Sequence, residues 1–73
     1  MEKEVALKKI GIQIQKLREE KGISQQVLAA MCNYDKSNMS RIEAGKTNFT
    51  VNTLLKVSNA LNVKLKDIVD IGD

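Results

Sequence analysis

The 73-residue chain has no proline, no histidine and no tryptophan, and only one cysteine, one tyrosine and one phenylalanine. Each absence excludes something. The single cysteine, Cys32, cannot close an internal disulfide, and without histidine no ordinary zinc site assembles, so two common braces of small domains are missing. The core must come from aliphatic packing alone, and a chain this short buries a modest fraction of its surface, which invites a partner subunit. Cys32 fits a reducing compartment and reads as a small buried hydrophobe, with no neighbour in sequence to lower its pKa for a reactive role. No nucleophile stands beside a base, no glycine-rich loop offers to cradle phosphates, and no cluster has metal-ligand spacing. The chain is therefore not expected to be an enzyme, nor to carry a metal, a cofactor or a small-molecule ligand. No apolar run approaches the roughly 20 residues of a membrane span, and the N-terminus MEKEVALKKIG lacks the apolar segment of a signal peptide. The expectation is a cytoplasmic protein with no membrane attachment.

With no low-complexity tract, linker or repeat, residues 1–73 read as a single domain. The net charge is +3, with 12 Lys or Arg against 9 Asp or Glu. This surplus lies in the first two thirds of the chain. It weakly favours an acidic partner and falls well short of a basic arm, so charge alone does not establish nucleic-acid binding.

What is present is helical periodicity. Leu7, Ile10, Ile14 and Leu17 recur at intervals of three, four and three, which predicts a first helix over Val5 to Lys21 with Gly22 at its C-cap. The apolar stripe is read as a core face in preference to a membrane-surface or partner-binding face. Ser24 is an N-cap for a second, short helix whose inward face is Leu28, Met31 and Cys32, and which stops at Asn33, a residue tolerated in the left-handed conformation. Asp35 caps a third helix over Lys36 to Glu43, with Met39 and Ile42 inward and Gly45 closing it. After the loop from Lys46, Thr50 is the cap candidate for a fourth helix near Val51 or Asn52, carrying Leu54, Leu55, Val57, Ser58 and Leu61. A turn at Asn62 precedes a fifth helix over Lys64 to Asp70. Glycines at 11, 22, 45 and 72 supply most of the punctuation, and no segment shows sustained period-two alternation. The expected fold is all-α.

The stretch Gln25 to Ala44 carries the functional signal. Two helices crossing at about 90–120° over a short turn need a small residue at closest approach and a positive-φ residue at the corner. Ala29 and Asn33 occupy those places, with Leu28, Cys32, Met39 and Ile42 as the apolar positions. This is a helix-turn-helix pattern. The outward set of the third helix, Lys36, Ser37, Asn38, Ser40 and Arg41, is composed for hydrogen-bonding geometry more than for helix propensity.

The longer run I23-S24-Q25, M39-S40-R41-I42-E43-A44-G45-K46, N48, T50, T53-L54-L55 and A60-L61-N62-V63 resembles the Xre-type helix-turn-helix family of phage repressors and Cro, over residues 10 to 69. In particular it is similar to small stand-alone members such as restriction-modification controller proteins. The resemblance implies a compact five-helix, lambda-repressor-like domain that binds double-stranded DNA, usually as a two-fold dimer. It places Gln25 against the DNA backbone, Lys36, Ser37 and Arg41 at base-reading positions, and Arg18 and Glu43 in an internal ion pair. Asn33 stands where the family most often has glycine, and Phe49 where it often has proline, which leaves the 46–50 loop open.

On that resemblance Gln25, Lys46 and Asn48 are candidates for phosphate positioning, and Lys36, Ser37, Asn38, Ser40 and Arg41 for reading bases, with Arg41 foremost because its planar fork can bond guanine O6 and N7 together. The plain alternative for each is a solvated surface residue. Val63, Leu65, Ile68, Val69 and Ile71 supply more apolar surface than a five-helix core obviously needs, so they are candidates for a homodimer interface, or else simply pack on the domain. Two functions follow: a sequence-specific transcriptional regulator, or a protein-interaction module such as an antitoxin or adaptor. The second usually brings a disordered extension that this sequence lacks, which favours the first.

Overall fold

A computed structural model describes residues 1–72. Its five helices are α1 (Lys3–Glu20), α2 (Gln25–Met31), α3 (Lys36–Glu43), α4 (Val51–Leu61) and α5 (Leu65–Ile68). Among the described residues there is no strand, and no helix is long and apolar enough to cross a membrane. Asp73, the last residue of the expected single domain, lies outside the described residues.

Three of the helices, α2, α3 and α4, begin where short polar side chains satisfy first-turn N–H groups. Ser24 accepts from the Val27 amide, Asp35 from the Asn38 amide at 2.7 Å, and Thr50 from the Thr53 amide at 3.1 Å. Four of the helices end in one way. In each, an amide donates back five residues to a carbonyl (Ile23 to Arg18, Tyr34 to Ala29, Lys46 to Arg41, Val63 to Ser58) around a left-handed residue. That residue is Gly22, Asn33, Gly45 or Asn62, with φ of 69°, 60°, 71° and 56°.

The core is aliphatic: Ile14, Leu28, Met39, Val57, Leu61 and Ile68 are wholly enclosed, with Ala29, Cys32, Ile42 and Leu54 around them. Ala29 sits at the α2–α3 crossing, where the Tyr34 amide bonds its carbonyl at 2.8 Å. Phe49 packs against this core, which anchors the 46–50 loop near its end. Gly11 lies in the interior of α1, so it is no punctuation mark. A Cβ there would collide with the Glu43 carbonyl oxygen and stand 2.8 Å from that of Ile42, so only glycine lets α1 touch the last turn of α3.

Several faces differ from the sequence expectation. Met31, which the sequence places on the inward face of α2, is 52 % exposed, and Leu55, one of the apolar residues at helical spacing in α4, is 41 % exposed. In α2 the seven residues make only two turns, and Leu28, Ala29 and Cys32 already fill the contact. The fifth helix is one turn, Leu65–Ile68, and not the seven residues expected. Ile68 is fully buried, so it belongs to the core of its own domain and offers nothing to a dimer interface. Val63 and Leu65 are half-buried against that core, Ile71 is half-buried, and Val69 is exposed.

Candidate nucleic-acid interface

Successive residues of a helix turn by about 100°, so Lys36, Ser40, Ala44, Ser37 and Arg41 fall on one arc of about 140°. All five are exposed. Met39 and Ile42 lie on the opposite side and are buried, Glu43 is buried at the edge next to Lys36, and Asn38, between Arg41 and Ile42, is half-buried. The outer arc thus combines two cations and two hydroxyls on a rigid helix whose first turn is already capped by Asp35. Among the described residues, the side chains of Lys36, Ser37, Ser40 and Arg41 make no hydrogen bond or ion pair within the protein, so their donors are open to a ligand. Lys46 and Asn48 are exposed on the loop just beyond α3, and the backbone amide of Lys46 is tied to the Arg41 carbonyl at 2.9 Å. The loop's start therefore has a fixed relation to the helix.

Glu43 is the one acid of α3, and it is buried beside this surface, not exposed on it. Its carboxylate accepts from Arg18 Nε at 2.8 Å and Arg18 Nη2 at 3.1 Å, a two-pronged pair with both partners buried. Arg18 Nη1 also donates to the Ile23 carbonyl at 2.8 Å. The hydrogen bond to Glu43 is the main reason the guanidinium pKa is raised, outweighing the opposing effect of burial. A third donor reaches the same acid: Gln25 Nε2 lies 3.0 Å from Glu43 Oε1. This contact was not foreseen. It joins residues 18 apart on different helices, and no local pattern in the chain encodes it.

Gln25 itself is half-buried at the first position of α2. The fold thus gathers Gln25 and Glu43 into one linked cluster, while Lys36, Ser37, Ser40 and Arg41 share one exposed arc of α3. An open cleft of about 500 Å³ lies elsewhere, between the ends of α2 and α4, lined by Met31, Cys32, Asn33, Lys56, Asn59 and Ala60. Lys56 is partly engaged there, with its ammonium 5.1 Å from the centre of the Tyr34 ring.

Two short helices in contact across a left-handed corner, set on three supporting helices, define a helix-turn-helix domain. The helix-turn-helix family model of the HTH_3 type matches residues 14–68, and the chain belongs to that family. An uncharacterised HTH-type transcriptional regulator, y4dJ, from Sinorhizobium fredii is 34 % identical over 62 residues, covering 85 % of this chain and 80 % of that one. Among solved structures, the restriction-modification controller protein C.AhdI from Aeromonas hydrophila superposes with a TM-score of 0.88 at 29 % identity, over 93 % of this chain and 99 % of that one. The controller protein C.Esp1396I, solved as a tetramer with its natural 35 base-pair operator, gives a TM-score of 0.75 at 32 % identity, over 88 % and 95 %.

Proposed function

We propose that the chain is a sequence-specific DNA-binding transcriptional regulator that reads the major groove with the outer arc of α3, acting in the cytoplasm as a homodimer. The observation that carries this reading is the arc itself: Lys36, Ser37, Ser40 and Arg41 exposed together, with the only acid of α3 buried and neutralised behind them. Eight residues of helix are about 12 Å long, close to the width of the groove they would enter. Arg41 is assigned to bidentate contact with a guanine, Lys36, Ser37, Asn38 and Ser40 to neighbouring base edges, and Gln25, Lys46 and Asn48 to phosphates. The kinship with controller proteins, one of them solved on its operator, supports the same reading.

The domain measures 30 × 22 × 20 Å. Successive major grooves on one face of DNA are about 34 Å apart, so a single copy cannot place α3 in two of them. Two copies related by a two-fold axis can. Val69, with the half-buried Val63, Leu65 and Ile71, is assigned to that dimer contact, and Ile68 to the core beneath it. The whole of residues 1–73 is taken as one such DNA-binding unit.

Selection of bound duplexes from a random pool tests this directly. A palindromic enriched site is the expected result; a pool that returns no enriched sequence would sink the reading.

A further inference from the structure

The bond from Gln25 to Glu43 gives the buried ion pair a second task. We propose that Glu43 is a positioning residue for DNA binding: its carboxylate fixes the side-chain amide of Gln25, so that the remaining Nε2–H of Gln25 is turned to a phosphodiester oxygen. The inference rests on the assignment of Gln25 to a phosphate made above.

The argument begins with what a carboxylate can do. It only accepts hydrogen bonds, so Gln25 must face Glu43 with its nitrogen and never its oxygen. An unconstrained glutamine amide at the start of a helix presents either end outward, and with its oxygen outward it repels a phosphate. Contact with Glu43 Oε1 at 3.0 Å removes that freedom and leaves one N–H unused. The acid is itself held still, since Oε1 also accepts from Arg18 Nη2 and Oε2 accepts from Arg18 Nε. Arg18 Nη1 grips the Ile23 carbonyl, two residues before Gln25, so one guanidinium fixes both the acid and the backbone leading into α2. Glu43 is only 6 % exposed, so its own charge stays off the DNA surface and is neutralised by Arg18. An acid that would repel DNA if it faced outward is thus placed where it aims a donor at DNA.

A double-mutant cycle on a mixed-sequence duplex tests this, because a phosphate contact is independent of sequence. Gln25→Ala is expected to weaken binding about tenfold. The slope of log affinity against log salt stays unchanged, since a neutral amide displaces no counterion. Glu43→Gln is expected to weaken binding by a similar factor in the parent chain and by none in the Gln25→Ala chain, although it lowers the melting temperature in both. Additive losses overturn the positioning role and leave the Gln25 contact standing. An unaltered affinity for Gln25→Ala removes the contact, and the positioning role with it. A second measurement needs no variant at Glu43: in the free protein one Nε2 proton of Gln25 is protected from solvent exchange, and the other shifts when duplex is added. Two freely exchanging protons overturn the proposal.

Discussion

Gly11 shows how a single missing side chain can decide a fold. In an ordinary helix interior, replacing glycine by alanine gains about 1 kcal/mol. Here the added methyl meets the backbone of Ile42 and Glu43, which cannot rotate away as a side chain would. Overpacking of that kind costs about 1–3 kcal/mol or more and outweighs the propensity gain. Gly11→Ala is therefore expected to lower stability in urea denaturation, and a rise would mean that α1 does not seat on α3 as described. Arg41 makes the opposite case, an exposed side chain with no partner among the described residues. Arg41→Ala should leave the melting temperature within about a degree or two, as for an isolated surface change, while discrimination at the contacted guanine falls by about 1–3 kcal/mol. Cys32 yields a pH expectation. Burial pushes its thiol pKa up, with Lys56 pulling weakly the other way. The folded chain then keeps a proton that the unfolded chain loses near the ordinary value of 9.0, so this contribution is present below that pH and is lost as pH rises above it. Against the near-isosteric Cys32→Val, the parent chain should hold a constant stability difference through neutrality and lose ground only in alkaline solution.

At the scale of elements, the helix ends form the most regular feature. Four terminations use the same back-bonded loop, two with glycine and two with asparagine at the left-handed residue. Asparagine tolerates that conformation better than alanine does, so Asn33→Ala and Asn62→Ala should each cost about 1 kcal/mol, whereas Gly at either position stays within about 0.5 kcal/mol of the parent. Thermal unfolding of the four variants checks this; equal losses for Ala and Gly would show that the asparagine side chains contribute contacts of their own. These ends, and the caps at Ser24, Asp35 and Thr50, were readable in sequence because each depends on the chemistry of one residue. The outer arc of α3 was readable for a related reason, since eight residues with Met39 and Ile42 inward determine which side faces out. The facing of Met31 and Leu55 was not, because apolar residues at helical spacing exceed the places the core has for them. Nor was the brevity of α5: the apolar residues Leu65, Ile68 and Val69 continue beyond the one turn that forms, and Ile68 is drawn into the core. Contacts between distant helices left the least trace. In sequence Gly11 is just one of four punctuating glycines, with no sign of the contact it makes with α3, and nothing near Gln25 announces its tie to Glu43.

For the whole molecule, the question is how a 30 Å domain with an aliphatic core gains enough affinity and stability to act. The proposed dimer would contribute to both, and would make the melting temperature depend on protein concentration. Val69 is 43 % exposed, so Val69→Asp should leave the monomer folded while shifting sedimentation toward a single copy. Binding to the selected palindrome should then weaken at least tenfold, as expected when one of two half-site contacts is lost. A variant that still sediments as a dimer would move the interface away from α5.

The seat of Gly11 against the end of α3 has one more consequence, which concerns opening motions. With the α1 backbone resting directly on the last turn of α3, and Arg18 bonded to Glu43 across the same joint, these helices have no slack between them and should open as one cooperative unit. A ligand that grips only α3 would then slow amide hydrogen exchange along α1 as well, around Gly11 and Arg18, on a helix that need not touch the DNA at those positions.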